Sequence, residues 1–170
     1  RWSQHWVAND KLPSHAQRAV IASEDDIFAS NTGVQWEALE RAWNKNARAQ
    51  AKAQASNQAP KVVGGSTITQ QLAKNLFLSG ERTLFRKAQE LILTIALEQC
   101  LSKQRILEIY LNSVEWGEGV FGLDAAAKHY FSHPAIQLSP WEAARLAVML
   151  PRPKYYEKFP RSPYLQERAS

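Results

Sequence analysis

Helix-start signals recur along this chain and constrain its fold more than any other feature of the sequence. A capping box needs Ser or Thr followed three residues later by Glu or Gln. That spacing occurs at Ser14 and Gln17, Thr67 and Gln70, and Ser139 and Glu142. Ser102 is a further N-cap, and Pro140 stands at a first helical position. Because no segment alternates between apolar and polar residues as a half-buried strand does, the sequence predicts a mainly α domain.

Apolar spacing places the remaining elements. It predicts helices from Ser14 toward Phe28, through Trp36, Leu39 and Trp43, from Ile68 to near Gly80, from Thr83 to Cys100, from Ser102 through Tyr110, over Ala125–Tyr130, and from Pro140 to Pro151. The run 91–97 is so apolar that its helix is expected to be buried on most sides, with Cys100 buried beside it. Residues 112–122 contain three of the seven glycines and predict a turn, and residues 151–164 predict an extended, proline-punctuated tail.

The length and the net charge indicate one domain with a preference for anionic partners. A length of 170 residues predicts a single domain, 1–170, and a net charge of +5 favours phosphates, lipid head groups or nucleic acid. One cysteine excludes an internal disulfide framework. Residues 44–63 hold four basic and no acidic side chains and are interpreted as a flexible basic loop. The absence of an initiator methionine and of a signal peptide predicts a processed chain, and no segment is apolar enough to span a membrane.

The segment 64–77, GGSTITQQLAKNLF, is unusually polar for the start of a helix. Gly64 and Gly65 allow close approach of another molecule. Gln71 and Lys74 lie off the apolar stripe, near the positive end of the helix dipole. This arrangement suits an anionic, hydrogen-bonding ligand such as a phosphorylated sugar. A well-capped surface helix is the alternative interpretation.

Carboxylates occur in two places that could serve sugar chemistry. Glu24, Asp25 and Asp26 come near the end of the first helix, where acids oppose the helix dipole. They predict a general acid or base in a cleft, or else a solvated acidic turn. Glu90 follows Arg86 by four residues, so it is either the second acid of a site or half of a surface ion pair.

Basic side chains surround the second acid in the sequence. They are Lys74, Arg82, Arg86 and Lys87. Such a cluster would stabilise a pyrophosphate leaving group, and two acids on separate helices framed by cations match the requirements of glycosyl chemistry.

Other chemistries find little support. His129 and His133 are four residues apart, but no third metal ligand accompanies them and His133 precedes a proline. No phosphate-binding loop, serine-hydrolase elbow or cysteine–histidine motif is present. No nucleic-acid-binding module is recognisable, so nucleic acid is not expected as a partner.

Together these segments resemble the peptidoglycan glycosyltransferases of family 51. The matching segments are ASED at 22–25 with Phe28 and Gly33, GGSTITQQLAKN at 64–75, RKAQE at 86–90, SKQRILEIYLN at 102–112, Gly117 to Phe131, and LSPWEAARLAVMLPRP at 138–153. They extend over about four-fifths of the chain. The short tail after them resembles that of the family's monofunctional biosynthetic transglycosylases.

The resemblance implies a lysozyme-like, mainly α fold with a head lobe and a small membrane-facing jaw lobe. It implies polymerisation of lipid II, with the lipid-pyrophosphate-linked growing chain as donor and the 4-hydroxyl of a new lipid II as acceptor. Glu24 aligns with the catalytic base and Glu90 with the second essential carboxylate, near which Mg or Mn could act. The substrate-binding set implied by the resemblance is Ser66, Thr67, Gln70, Gln71, Lys74, Asn75, Arg82, Arg86 and Lys87.

The resemblance also implies a setting. It places the catalytic domain in the periplasm, on a bacterial inner membrane reached through a single N-terminal span outside this chain. Lipid II, the lipid-linked glycan, the membrane surface and other cell-wall synthesis and division proteins are the implied partners. Two departures stand out: Asn31 occupies a position where many members carry histidine, and 44–63 is longer than usual, which suggests a flap beside the donor groove.

Two rival functions remain open from the sequence. A peptidoglycan hydrolase also uses a glutamate on a helical scaffold, but it needs no cationic pyrophosphate site. A non-enzymatic module that recruits cell-wall proteins through its basic surface would not depend on Glu24.

Overall fold

A computed structural model of the chain describes residues 2–37, 40–41, 44, 66–78 and 84–169. Several predictions fall outside these residues. They concern Leu39 and Trp43 of the predicted second helix, the basic loop 44–63 beyond Asn44, the glycines Gly64, Gly65 and Gly80, and the donor-site candidate Arg82.

The described residues are mainly helical, as predicted. The helices are α1 Ser14–Glu24, α2 Ile68–Phe77, α3 Leu84–Cys100, α4 Lys103–Ser113, α5 Leu123–Phe131, α6 Pro140–Met149, α7 Pro153–Lys158 and α8 Pro163–Arg168. Single 3₁₀ turns lie at Asn9–Lys11 and Ala135–Gln137. None of these described helices is both long and apolar enough to cross a membrane.

Three of the four predicted N-caps are confirmed. Thr67 and Ser139 form complete capping boxes at α2 and α6, and Ser102 caps α4 by accepting from the Arg105 N–H. The capping box predicted at Ser14 is wrong, because Ser14 is itself helical and Pro13 is the N-cap without a side-chain hydrogen bond. Gln17 instead donates to the carbonyls of Asn9 and Leu12 in the preceding 3₁₀ turn.

A small sheet replaces part of the turn predicted over 112–122. Its strands are β1 Ser3–Gln4, β2 Glu115–Gly117 and β3 Val120–Phe121, in the order β1-β3-β2. β1 pairs in parallel with β3, and β2 pairs antiparallel with β3 through an irregular register. Strands of two or three residues are too short to produce a visible alternation in sequence, which is why they escaped prediction.

The core lies between helices that are far apart in the chain. α1 packs along α6, and α2 packs against both α3 and α4. Among the described side chains, the largest that are fully buried include Trp116, Tyr110, Ile68, Leu72 and Leu146. Leu76, which follows Ile68 and Leu72 on the apolar side of α2, is exposed.

The prediction that the helix before Cys100 is buried on most sides is wrong. Among the described side chains of α3, the buried ones are the polar residues Glu90 and Thr94, whereas Ile92 is 68% exposed and Cys100 is exposed. The apolar run signals low affinity for water, but the described neighbours of α3 cover only one of its faces.

The extended tail predicted after Pro151 is also wrong. Pro153 and Pro163 each occupy one of the first positions of a short helix, α7 and α8. Proline is tolerated there because the first helical N–H groups have no partner inside the helix. Ser162 additionally caps α8 by accepting from the Leu165 N–H.

Candidate functional site

Glu24 is the last residue of α1, and its partly buried carboxylate lies against α2. The Gln71 side chain of α2 donates a hydrogen bond of 2.8 Å to Glu24 Oε2. Tyr110 of α4 donates in turn to Gln71 Oε1, at 2.9 Å. Ser23 Oγ donates to the Ala147 carbonyl and holds this end of α1 against α6. Four helices therefore set the position of one carboxylate.

The surroundings of Glu24 favour a base that can accept a proton. Burial raises the pKa of the Glu24 carboxyl, and the hydrogen bond from Gln71 partly offsets this by lowering the pKa. Burial and the charge of Glu24 raise the pKa of Tyr110 well above its usual value, so its hydroxyl stays protonated and keeps donating to Gln71. A carboxylate with a raised pKa is a stronger general base than an ordinary glutamate.

Asp25, next in the chain, has a structural role that sequence reasoning missed. Only 3% exposed, it accepts hydrogen bonds from the side chains of Asn31 and Gln35. It also accepts one of 3.2 Å from the backbone N–H of Ile68, the first residue of α2. The acid that opposes the dipole of α1 thus lies at the positive end of α2, where a negative charge is stabilised. Asp26 is exposed.

Glu90, the second predicted acid, faces inward from α3. Its side chain is 8% exposed, and Lys87 Nζ lies 2.6 Å from its Oε1. The Lys87 side chain is 34% exposed, so this ion pair lies at the edge of the protein interior. Arg86 is partly buried on the same helix. α2 packs against α3, so the helix that carries Gln71 contacts the helix that carries Glu90 and Lys87.

The predicted substrate-binding residues of α2 divide into two groups. Thr67 and Gln70 are buried in the capping box, and Thr67 Oγ1 also donates to the Gly33 carbonyl at 2.5 Å. Gln71, Lys74 and Asn75 point to partly or fully accessible surface. Gln70 therefore serves the helix start, although its Nε2 atom lacks a hydrogen-bond partner. Ser66 is partly buried just ahead of the cap.

The sequence did not single out Tyr110 as a residue of this site, and it named Asp25 only as one of three candidate acids, without its structural role. Tyr110 counted there as an apolar residue of its helix. The usable signal was that a tyrosine on a buried face needs a partner for its hydroxyl. For Asp25, the signal was the unfavourable placement of an acid at the end of α1, which required compensation from elsewhere.

The described side chains do not fit a metal site. No group of three or more His, Cys, Asp or Glu side chains converges among them, His129 and His133 included. His129 instead contacts Glu157, and His133 contacts Glu142. Glu90 likewise belongs to no such group among the described residues, and its Oε1 contacts the Lys87 ammonium.

Comparison with known proteins identifies the family of the chain. The transglycosylase family model matches residues 1–170. The chain is 57% identical over 165 residues to the biosynthetic peptidoglycan transglycosylase of Burkholderia thailandensis. The aligned region covers 97% of this chain and 61% of that protein. It is 56% identical to the protein of the same name from Burkholderia pseudomallei, covering 96% and 60%, and 51% identical to that from Bordetella avium, covering 99% and 68%.

The chain spans about 60% of the length of the two Burkholderia relatives. The match nevertheless includes every element described above, from the N-terminal strand to the last helix. The fold is mainly helical, and Gln71 holds a partly buried glutamate, Glu24. Because the family model matches the whole sequence, the chain belongs to the transglycosylase family.

Proposed function

We propose that this domain polymerises the glycan chains of peptidoglycan from lipid II. The observation that carries the proposal is the Glu24 carboxylate, held by Gln71 and kept partly out of water at the junction of α1 and α2. The family match and the names of the relatives support the same reaction. A sugar hydroxyl is a poor nucleophile at neutral pH, so a positioned base with a raised pKa is what this reaction requires.

In the proposed step, Glu24 removes the proton from the 4-hydroxyl of the acceptor lipid II. The freed oxygen attacks the anomeric carbon of the growing chain, and the bond from that carbon to the lipid pyrophosphate breaks. The configuration inverts because attack comes from the face opposite the leaving group. The Gln71 and Tyr110 hydrogen bonds orient the carboxylate before the substrate arrives, which reduces the reorganisation needed in the transition state.

The leaving pyrophosphate is proposed to lie on the cationic side of the α2–α3 junction. Lys74 is exposed on α2, and Lys87 and Arg86 project from α3. Fixed cations stabilise the charge that grows on the departing pyrophosphate more than they stabilise the substrate. Glu90 is proposed to hold Lys87 in place, since the two groups are 2.6 Å apart and the carboxylate is buried. Ser66, Asn75 and Arg82 complete the proposed donor site.

The proposed substrate is anchored in a bilayer, so part of the domain should contact lipid. Apolar side chains are exposed along the end of α2 and along α3. They are Leu76, Phe77, Phe85, Ile92 and Ile95. Exposed apolar side chains next to cations are typical of a surface that binds an anionic membrane interface. We propose that this face is the membrane-facing jaw, on the periplasmic side of a bacterial inner membrane, with other cell-wall synthesis proteins nearby.

The decisive experiment measures polymerisation of fluorescently labelled lipid II by the wild type and by Glu24→Gln. We expect Glu24→Gln to lose polymerisation by about 1,000-fold or more, because the acceptor proton has no base to accept it. The matched control is Glu118→Gln, which alters an exposed glutamate in the β2–β3 turn and should keep full activity. Thermal melting of both variants checks that the fold is retained.

Two outcomes would contradict the proposal. Release of soluble fragments from purified peptidoglycan would favour a hydrolase, which needs no cationic leaving-group site. Full polymerisation by Glu24→Gln would show that this carboxylate is not the base.

A further inference from the structure

A polar cluster outside the proposed reaction centre joins four segments of the chain. At its middle, Lys103 Nζ lies 2.6 Å from Glu98 Oε1 and 2.9 Å from Asn31 Oδ1. The same ammonium lies 4.5 Å from the centre of the Phe28 ring. Lys103 and Glu98 are 24% and 13% exposed, so the pair is largely shielded from water. None of these groups has a part in the proposed chemistry.

Two routes lead from Lys103 to the start of α2. In the first, Asn31 Nδ2 donates to both oxygens of Asp25, at 2.9 and 3.0 Å, and Asp25 accepts from the Ile68 N–H. In the second, Glu98 Oε1 accepts a hydrogen bond of 2.6 Å from Thr69 Oγ1. Lys103 therefore holds the first turn of α2 from two sides.

The pair that these routes position is Gln71 and Glu24. Glu24 directly precedes Asp25, and Gln71 lies on α2 next to the turn that Asp25 and Glu98 hold. Helix α4 also connects Lys103 to this pair, because Lys103 is its first residue and Tyr110, two turns later, donates to Gln71. A shift of the α2 start would change the Gln71–Glu24 distance directly.

We propose that Lys103 is a positioning residue, which through Asn31 and Glu98 holds the start of α2 so that Gln71 stays hydrogen-bonded to Glu24. The expected loss of kcat rests on the proposed function, whereas the expected loss of the Gln71–Glu24 hydrogen bond does not. Without Lys103, the shielded Glu98 carboxylate loses its cation and Asn31 loses one of its two fixed donors, the other being the Gly33 N–H.

The first test compares kcat and KM for labelled lipid II in Lys103→Met, Lys103→Arg and Lys128→Met. Lys128→Met is the matched control, because Lys128 Nζ also lies 2.6 Å from a buried carboxylate, that of Asp124, on α5. We expect kcat of Lys103→Met to fall about 10- to 100-fold, since small misplacements cost that much, with KM within about twofold. Lys103→Arg should recover most of kcat, and Lys128→Met should lose stability but keep kcat.

The second test needs no substrate. Carbon-13 NMR titration follows the Glu24 carboxyl, whose signal is assigned by its loss in Glu24→Gln. The hydrogen bond from Gln71 lowers the Glu24 pKa, so losing that bond should raise it. Removing the Lys103 charge could itself raise the pKa. Asn31→Ala breaks the route from Lys103 through Asn31 to Asp25 without a change of charge, so it should also raise the pKa of Glu24. This variant also provides the test if Lys103→Met fails to fold.

Tyr110 enters the titration as a neighbour of Glu24. Burial, and to a smaller extent the ionised Glu24, raise the pKa of Tyr110, which therefore remains neutral through the range of the experiment. Adding Asn31→Ala to Gln71→Leu should cause no further rise, since the bond that Asn31 maintains is already gone.

Each result bears on one claim. The inference is overturned if Lys103→Met keeps wild-type kcat, if Lys128→Met loses as much activity, or if Asn31→Ala leaves the Glu24 titration unchanged. If the wild type fails to polymerise lipid II while Asn31→Ala still raises the Glu24 pKa, the proposed function fails and the positioning role stands.

Discussion

At Glu24, burial and hydrogen bonding act on one carboxylate in opposite directions. Burial raises its pKa more than the hydrogen bond from Gln71 lowers it. The neutral form is therefore favoured by folding, and the ionised form costs stability. A carboxylate whose ionised form lowers the stability of the fold is typical of a functional site rather than of a stabilising contact.

The sign of this effect gives a prediction for Glu24→Gln. The stability contributed by neutral Glu24 is complete below the unfolded-state pKa and is lost as pH rises through the higher folded-state pKa. Gln has no such loss and can still accept from Gln71. We therefore expect a higher melting temperature than the wild type at about pH 7 and no difference below about pH 4.

Differential scanning calorimetry across that pH range is the measurement. Glu118→Gln, at an exposed position, should leave the melting temperature unchanged at every pH. A lower melting temperature for Glu24→Gln at neutral pH would mean that the ionised carboxylate stabilises the fold, contrary to its raised pKa.

At the scale of elements, the segment after α1 is held in a conformation that depends on Gly33. Its φ of +85° lies in the left-handed region, where side chains with a Cβ are disfavoured. A Cβ there would lie 2.6 Å from Glu98 Cγ and 2.9 Å from Thr94 Cγ2 of α3. The Gly33 carbonyl also accepts from Thr67 Oγ1, which caps α2. One glycine thus allows the segment, α2 and α3 to approach closely.

Gly33→Ala should therefore lower the free energy of unfolding by about 2 kcal/mol or more, from backbone strain together with the clash against α3. Urea denaturation measures the loss. Ser30→Ala, at an exposed position of the same segment, should change the stability by less than about 0.5 kcal/mol. Equal midpoints for Gly33→Ala and Ser30→Ala would show that the segment can move away from α3 at little cost.

At the scale of the whole molecule, a buried asparagine makes several of the contacts that attach the N-terminal segment. Asn112, at the end of α4, accepts from the Val7 N–H at 2.7 Å and donates to the Val7 carbonyl at 2.8 Å. Its own carbonyl accepts from the Gln4 side chain, and β1 pairs with β3 beside it. These contacts join residues more than a hundred positions apart.

Asn112→Ala should destabilise the protein by about 2–3 kcal/mol, because both backbone groups of Val7 lose their partner. The segment should then become sensitive to limited proteolysis before the rest of the domain unfolds. Gln4→Ala removes a single exposed donor and should cost less than about 1 kcal/mol. Uniform cleavage of the Asn112→Ala protein, without early loss of the N terminus, would contradict this attachment.

The sequence alone was enough to predict the mainly helical class and three N-caps, and to propose the residues of the chemistry. The boxes at Thr67 and Ser139 and the cap at Ser102 depend on residues three positions apart, so local bonding suffices to predict them. Glu24, Gln71 and Glu90 were selected by residue type and motif. The capping box predicted at Ser14 is wrong because the Gln17 side chain donates to the nearby carbonyls of Asn9 and Leu12, which the capping pattern does not include.

What covers each helix, and which groups hydrogen-bond to Glu24 and Gln71, depend on how distant segments pack. The exposure of Ile92 follows from where α2 lies, not from the sequence of α3. The hydrogen bonds that Ile68 donates to Asp25 and that Lys103 donates to Asn31 span 43 and 72 positions. A hydrogen bond over that separation forms only once packing has brought the segments together, so it leaves no periodic signal in the sequence.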